Sequence, residues 1–181
     1  GEGGAFSAGA DLQAMLPLFM SGGVKAIEPA IVRLQQAHQG LKYANVPVVA
    51  AVSGLALGGG CELMMHAAKR VASIESYIGL VEVGVGLIPA GGGLKEAAVR
   101  AAKDAKGTDL LQCLNNYFTN AATAAVSKSA LEAKKMGYLS DSDVVVFNPY
   151  ELLHVAKVEA RAMFDAGYRA PMRKLVPVTV G

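Results

Sequence analysis

The chain has 181 residues, of which 52% are hydrophobic and 18% are charged, and its net charge is +2. This length and composition predict one globular domain with a sizeable core and exclude an intrinsically disordered chain. The Lys and Arg residues are dispersed, so no nucleic-acid partner is expected. Two cysteines far apart, Cys61 and Cys113, argue against a disulfide framework and a zinc site. The expected compartment is reducing, the cytoplasm.

The sequence also gives expectations about membranes and about its own start. The apolar stretch at 46–57 is short and broken by glycine, so no stable membrane insertion is expected. No signal peptide opens the chain. The small residues from Gly1 onward have no earlier strand or helix to pack against, which is typical of a chain that begins inside a domain.

The first predicted helix follows a run of small residues at 5–10. Asp11 stands at the N-cap position, and apolar residues follow it at helical spacing. Pro17 and a turn at 21–23 limit this helix, and a second helical stripe covers 27–43. An ordinary capped helix also explains this junction, so its role depends on what lies beside it.

A strand, a glycine cluster and an acid follow one another between residues 47 and 68. The apolar run at 48–52 predicts a buried strand, and the glycines at 58–60 predict a tight turn before a helix at 61–70. Free N–H groups in the first helical turn predict a site for a developing negative charge. Glu62 lies in that turn, where the helix dipole alone also favours an acid.

A second acid, Glu82, follows two apolar segments at 71–73 and 77–81, of which the first is predicted as a short strand. Valines surround Glu82, so its pKa is expected to be raised, as a general acid requires. The alternative is a strand residue that faces solvent. A second glycine-rich turn at 84–93 precedes a helix at 94–105.

The remaining signals are structural. Thr108 is expected to cap a helix, and Ser129 with Glu132 forms a capping box for another. A strand at 144–147 and a long helix at 150–166 follow. Strand, glycine turn and helix recur without a repeat of identical residues, which predicts an α/β fold.

Three motifs occur in the order AFSAGADL (5–12), PVVAAVSGLALGGGCEL (47–63) and YIGLVEVGVGLIPAGGG (77–93). Together they resemble the crotonase family, the enoyl-CoA hydratases and isomerases. A triple match in the family's order is far more specific than any one glycine motif. The resemblance implies a crotonase-like ββα spiral that is incomplete at its N-terminus and has a C-terminal helical region.

The resemblance implies a role for each matching residue. The backbone N–H groups of Ala10 and Gly59 match an oxyanion hole that holds the thioester oxygen of an acyl-CoA. Glu62 and Glu82 match two catalytic glutamates that hold a water between them. Glu62 would help to activate this water, and Glu82 would act as acid and base toward the α-carbon. The residues expected at the substrate are Ala8, Gly9, Asp11, Leu57, Gly58, Pro89, Ala90 and Gly91.

Two matching glutamates favour hydration of a trans-2-enoyl-CoA in fatty-acid β-oxidation, because related isomerases work with a single acid at the position of Glu82. Isomerase or other crotonase chemistry is the alternative. The resemblance implies no metal and no tightly bound cofactor, with coenzyme A present as part of the substrate. It also implies a homo-oligomer, a trimer or a hexamer.

The resemblance covers a partial crotonase core at 1–125 and a C-terminal helical and assembly region of the same domain at 126–181. The segment from Val126 to Tyr168 resembles the hydratase part of bacterial proteins fused to a 3-hydroxyacyl-CoA dehydrogenase. A fragment of a bifunctional enzyme is therefore expected. One departure is Ala90, where the family commonly has glycine, and this departure affects the expected width of the pocket.

Other classes of function fit the sequence less well. A nucleotide-binding module requires a GxGxxG or GK[ST] pattern, and the glycines at 54–60 match neither. A serine hydrolase would require a GxSxG elbow, which is absent from the sequence. Glu62 and His66 lack the paired histidines of a zinc protease. A non-catalytic assembly domain is the last alternative, and a hydration assay separates it from an enzyme.

Overall fold

The computed structural model describes residues 3–105 and 109–173, in which helices alternate with parallel strands. The predicted α/β class is confirmed. In chain order the elements are α1 (Leu12–Lys42), β1 (Val49–Leu57), α2 (Gly59–His66), β2 (Lys69–Gly79), a 3-10 helix (Glu82–Val85), α3 (Gly93–Asp104), α4 (Leu110–Ala122), α5 (Ala130–Lys135), β3 (Val144–Val146), a second 3-10 helix (Pro149–Glu151) and α6 (Leu152–Asp165).

The three strands form one parallel sheet in the order β1-β2-β3. Both faces of β1 are covered, because Ala50 and Val52 pack into one hydrophobic core while Val49 and Ala51 pack against another. Strands of parallel sheets that are buried on both faces have continuous apolar sequences, which is why this strand could be predicted. The strand continues past the apolar run, through a register shift between Val52 and Gly54.

The larger core joins the sheet to α2 and to the segment that follows α5. Its fully buried members include Met64 and Tyr138. The Tyr138 hydroxyl accepts a hydrogen bond from the Leu80 N–H at 3.3 Å, and Ser127 exchanges two hydrogen bonds with the backbone of Ile78. Residues before and after position 126 therefore share one core, and the division of the domain at that position stays a prediction.

The first described segment is attached to β1. The N–H groups of Phe6 and Ser7 donate to the carbonyls of Ser53 and Leu55, at 2.8 and 2.9 Å. A Cβ on Gly60 would lie only 2.5 Å from the Ser7 Cβ, so glycine is required where α2 passes this segment. The contact brings the start of the described chain next to the start of α2.

Helix α1 begins where the sequence predicted. The Asp11 carboxylate accepts a 3.0 Å hydrogen bond from the Ala14 N–H, as an N-cap does. Gly23 has φ +60° and ψ −149°, which confirms the predicted interruption at 21–23. By length and composition α1 could also cross a membrane. The expectation about membranes considered only the apolar stretch at 46–57 and therefore missed this property of α1. The expected lack of stable membrane insertion stays a prediction.

Three local predictions need correction. α2 ends at His66 rather than near residue 70, because Lys69 already pairs with β1 as the first residue of β2. β2 also runs unbroken across the two segments that the sequence separated. The predicted cap Thr108 lies outside the described residues, and the side chain that caps α4 belongs to Asp109.

Most of the C-terminal elements form where the sequence predicted them. The Ser129 hydroxyl accepts from the Glu132 N–H at 3.1 Å, which confirms the predicted cap. The Glu132 carboxylate accepts from the Lys128 N–H at 2.5 Å, one residue before the N–H that a standard capping box uses. α6 covers the second face of the sheet with Ala156. Val158, on the same helix, is 51% exposed.

Candidate active site

Two backbone N–H groups lie close together where α2 begins. Gly58 has φ +52°, and its N–H donates to the Gly79 carbonyl at 2.9 Å, which fixes the turn between β1 and α2. A Cβ built on Gly59 would lie 3.9 Å from the Ala10 nitrogen. Among the described residues, the N–H groups of Ala10 and Gly59 donate to no acceptor. Both are therefore available to a ligand oxygen near the positive end of α2.

Other residues predicted at the substrate surround this pair. Gly9 has φ +102°, and a Cβ there would lie 3.1 Å from the Leu57 carbonyl oxygen, so glycine permits this close approach. Ala8 and Ala10 are exposed. The Asp11 side chain caps α1 through Oδ1, so a ligand could contact its backbone and its other carboxylate oxygen.

Glu62 projects from the first turn of α2 into the glycine turn at 91–93. The residue is 2% exposed, and its Oε1 accepts a 2.8 Å hydrogen bond from the Gly93 N–H. A Cβ on Gly91 would overlap the Glu62 carboxylate. The turn can therefore close on this carboxylate only because Gly91 has no side chain.

Glu82 opens a short 3-10 helix directly after β2, so the alternative of a solvent-facing strand residue is wrong. Both of its carboxylate oxygens are buried, and neither has a hydrogen-bond partner in the described part of the chain. A Cβ on Gly58 would lie 3.5 Å from Glu82 Oε1. The Glu82 carboxyl therefore lies over the same turn that starts α2.

The two carboxyls share surroundings that favour their protonated forms. Burial raises the pKa of Glu82 to about 7, the residue's own backbone N–H opposes this shift without reaching hydrogen-bond geometry, and the charge of Glu62 adds to it. Burial also raises the pKa of Glu62. The N–H groups of the glycine turn and the charge of His38 act in the opposite direction and lower it. The raised pKa predicted for Glu82 is confirmed. A carboxyl that titrates near neutral pH can both donate and accept a proton.

The glycine turn brings the last predicted substrate residues to the same place. Pro89 is buried and Ala90 is half-buried, and Gly91 touches Glu62 as described above. The Ala90 carbonyl accepts a 2.7 Å hydrogen bond from the side chain of Gln35 on α1. The fold thus collects the two acids, the two N–H groups and this turn around the first turn of α2.

Sequence reasoning missed the histidines that pack behind the turn. The His38 ring donates through Nδ1 to the Gly91 carbonyl, and the His66 ring donates through Nδ1 to the Glu62 carbonyl, both at 2.7 Å. The rings stack with their centroids 5.0 Å apart. Burial lowers the pKa of His66 to about 4, so this ring is neutral at neutral pH. The one available signal was the spacing of Glu62 and His66, one helical turn apart.

A cavity of about 840 Å³ lies elsewhere and is lined in part by His66, Glu96 and Arg100, but by neither Glu62 nor Glu82. The most buried acid in its lining, Glu96, is already paired with Lys42 and Lys95. The charge of Glu96 is therefore balanced by two lysines. The carboxyl pair with the two available N–H groups is the better candidate for chemistry.

Replacing Glu82 by Gln is expected to stabilise the fold at about pH 8 and to have no such effect at about pH 4. The folded-state pKa of about 7 lies above the ordinary value of 4.5, so wild type loses stability as the pH rises through this interval. Glutamine has no proton to lose. After allowance for solvent screening, urea unfolding at about pH 8 should show a gain of about 1–2 kcal/mol. Equal stabilities at that pH would contradict the burial of an unpaired carboxylate.

Comparisons with known proteins agree with the fold and with the motifs. The profile of the family Enoyl-CoA hydratase/isomerase matches residues 1–140. The chain is 38% identical over 177 residues to a probable 3-hydroxyacyl-CoA dehydrogenase of Bacillus subtilis (strain 168), an alignment that covers 98% of this chain and 22% of that protein. The same identity and the same coverage apply to a putative fatty acid oxidation complex trifunctional enzyme of Rickettsia felis.

A solved structure has the same fold. The enoyl-CoA hydratase from Bacillus anthracis superposes with a TM-score of 0.69 at 26% identity, over 90% of this chain and 56% of that one. The chain thus spans 22% of the length of the two curated relatives and about half of the solved chain. The predicted crotonase-like fold is confirmed, and the chain belongs to the enoyl-CoA hydratase/isomerase family, the crotonases.

Proposed function

We propose that this chain adds water across the 2,3 double bond of a trans-2-enoyl-CoA thioester. One observation carries the proposal: two buried, electrostatically linked carboxyls, Glu62 and Glu82, lie around the same turn as the available N–H groups of Ala10 and Gly59. Hydration requires an acceptor for a proton of water, a donor for the α-carbon and hydrogen bonds for the oxygen that becomes negative. This arrangement can supply all three.

The proposed addition balances within the carboxyl pair. The water oxygen bonds to C3 while the π electrons move to C2 and toward the thioester oxygen. The pair removes one proton from the water and delivers one proton to C2, so it ends with as many protons as it had at the start. Ionised Glu62 activates the water, and protonated Glu82 is the donor to C2, with the proton shared between two coupled groups.

The N–H groups of Ala10 and Gly59 would receive the thioester oxygen. As electrons move onto that oxygen, both hydrogen bonds strengthen, which stabilises the enolate more than the substrate. The positive end of the α2 dipole adds to this stabilisation. Coenzyme A enters as part of the substrate, and the reaction as proposed uses only side chains, backbone groups and water.

The relatives' names support a place in fatty-acid β-oxidation. One relative is named a probable 3-hydroxyacyl-CoA dehydrogenase and another a putative trifunctional enzyme of a fatty acid oxidation complex. Hydration of a trans-2-enoyl-CoA yields a 3-hydroxyacyl-CoA, the substrate class of such a dehydrogenase. The proposal therefore includes fusion to that dehydrogenase. A cytoplasmic location, from the cysteine pattern, and assembly as a homotrimer or hexamer, from the family resemblance, are part of the same proposal.

A second candidate is double-bond isomerisation. It is favoured by the pKa of Glu82 of about 7, because a single carboxyl with this pKa could move a proton from C2 to C4. The purified protein should therefore be assayed with a trans-2-enoyl-CoA and with its trans-3 isomer. Hydration removes the absorbance of the conjugated thioester from the first substrate. Conversion of the second substrate alone would support isomerisation and contradict hydration.

The pH profile of hydration is expected to be bell-shaped. The value of kcat/KM should fall in acid as Glu62 becomes protonated, and it should fall above about pH 7 as Glu82 loses its proton. Initial rates across this range test both limbs. The residual activity of Glu82→Gln should lack the alkaline limb. If that limb persists unchanged in Glu82→Gln, another group donates the proton.

A further inference from the structure

The glycine turn that closes on Glu62 is held on its other side by α1. Gln35 and His38, nearly one helical turn apart, donate side-chain hydrogen bonds to the carbonyls of Ala90 and Gly91, both at 2.7 Å. A carbonyl oxygen can only accept, so His38 carries a proton on Nδ1. The partners are 55 and 53 residues apart in sequence, so these contacts tie α1 to the turn.

The planarity of the peptide unit makes the first contact a constraint on the next N–H. In a trans peptide, a carbonyl and the following N–H point in opposite directions. The described residues contain no cis peptide bond. Because Gln35 holds the Ala90 carbonyl on the side of α1, the Gly91 N–H must point away from α1.

The second contact acts on the next peptide in the same way. Because His38 holds the Gly91 carbonyl, the Gly92 N–H also points away from α1. The Gly93 N–H donates to Glu62 Oε1 at 2.8 Å, and the N–H groups of Gly91 and Gly92 also stabilise the charged Glu62 carboxylate. Consecutive backbone N–H groups of this kind form a concave site for an anion.

We propose that Gln35 and His38 are positioning residues that aim the backbone N–H groups of the turn 91–93 at the Glu62 carboxylate. Neither side chain has to touch the reacting atoms, since both act through the turn. The kinetic part of this inference rests on the proposed hydration, in which Glu62 must be ionised and fixed toward the water. The structural part concerns the Glu62 carboxyl alone.

The burial of His38 supports this role. The residue is 1% exposed, and its Nε2 has no hydrogen-bond partner among the described residues. A buried polar atom without a partner costs stability. The hydrogen bond from Nδ1 to the Gly91 carbonyl fixes the position of the ring.

Several titratable groups surround Glu62 and enter its pH dependence. His38 faces it from α1 and Glu82 from the 3-10 helix. His66 follows on α2 and bonds the Glu62 carbonyl. Beyond the His66 ring lie the charged side chains of Lys42, Lys95 and Glu96. Variants of Gln35 leave all of these groups in place, which makes Gln35 the cleaner site to change.

Gln35→Met removes the donor while keeping a side chain of similar length at an exposed position. We expect kcat for hydration to fall about three- to tenfold with KM within about twofold of wild type. The carboxyl of Glu62, followed by NMR with carbon-13 glutamate and identified by its loss in Glu62→Gln, should titrate at higher pH. Gln36→Met, on the next exposed residue of α1, should change neither quantity.

His38 gives an independent pair of variants. His38→Leu removes the donor to the Gly91 carbonyl and should shift the Glu62 titration upward, whereas His38→Asn can place an amide N–H near the Nδ1 position and should restore much of the wild-type behaviour. If Leu and Asn at this position give the same titration and the same kcat, the ring acts only by filling space. That result would overturn the role of His38.

The two readouts separate this inference from the proposed function. If wild type hydrates the substrate but Gln35→Met leaves both kcat and the Glu62 titration unchanged, the positioning role of Gln35 is wrong. If the titration moves as expected in a protein that hydrates nothing, the turn is positioned as inferred and the proposed function is wrong. A change in kcat without a change in the titration also contradicts action through Glu62.

Discussion

Glu82→Gln is expected to lower kcat for hydration of a trans-2-enoyl-CoA by about a thousandfold, and Glu62→Gln by a similar factor. Glutamine keeps the size of each side chain but can neither take a proton from water nor deliver one to C2. Because both proton transfers belong to one addition step, the double variant should be little worse than either single one. Steady-state kinetics with the purified protein measure all three effects.

The matched control is Glu75→Gln, which makes the same chemical change at an exposed position of β2. It should keep wild-type kcat and KM. Circular dichroism and thermal unfolding should show that each of the glutamine variants is folded. Variants of Glu62 and Glu82 that are folded and as active as wild type would contradict the catalytic role of the carboxyl pair.

Asp143→Ala is expected to destabilise the fold by about 3–5 kcal/mol. Asp143 accepts hydrogen bonds from the backbone and side chain of Arg70 and from Ser140, and it ties the start of β2 to the segment before β3. Burial alone would raise the pKa of Asp143, but Arg70 and the backbone donors hold it below its ordinary value. Removing the carboxylate leaves the buried Arg70 guanidinium without its charged partner.

Urea unfolding at neutral pH measures this loss. Asp141→Ala, at an exposed position two residues earlier, should change the free energy of unfolding by less than about 0.5 kcal/mol. Replacing both partners, as Arg70→Met with Asp143→Leu, should cost less than Asp143→Ala alone, because no buried charge is left unpaired. If Asp143→Ala unfolds like Asp141→Ala, this ion pair does not hold the two strands together.

Local signals in the sequence were enough to predict several features. The cap Asp11 and the interruption at Gly23 depend on neighbouring residues only, and both are present as predicted. The glycines around α2 also predicted a tight turn with available N–H groups. A residue without a Cβ permits close approach of any neighbouring group, whether that group is near or distant in sequence. Glu82 was predicted to have a raised pKa from its apolar neighbours, and burial produces that shift.

Features that depend on distant partners could not be predicted in the same way. The helical pattern after Cys61 contains no breaker, yet α2 ends at His66 because Lys69 pairs with Val49 of β1. Nothing near Gln35 or His38 indicates that the turn at 90–91 will accept their hydrogen bonds. Tertiary pairing decides such contacts, and a periodic pattern reports only which face of an element is apolar.

The most direct test of hydration follows the oxygen of water. The purified protein is incubated with a trans-2-enoyl-CoA in water enriched in oxygen-18, and the products are analysed by mass spectrometry. Hydration predicts a 3-hydroxyacyl-CoA that carries the heavy oxygen at C3, formed by wild type and almost absent with the Glu62→Gln and Glu82→Gln variants. A protein that moves the double bond without taking up oxygen, or that leaves the substrate unchanged, would contradict hydratase activity.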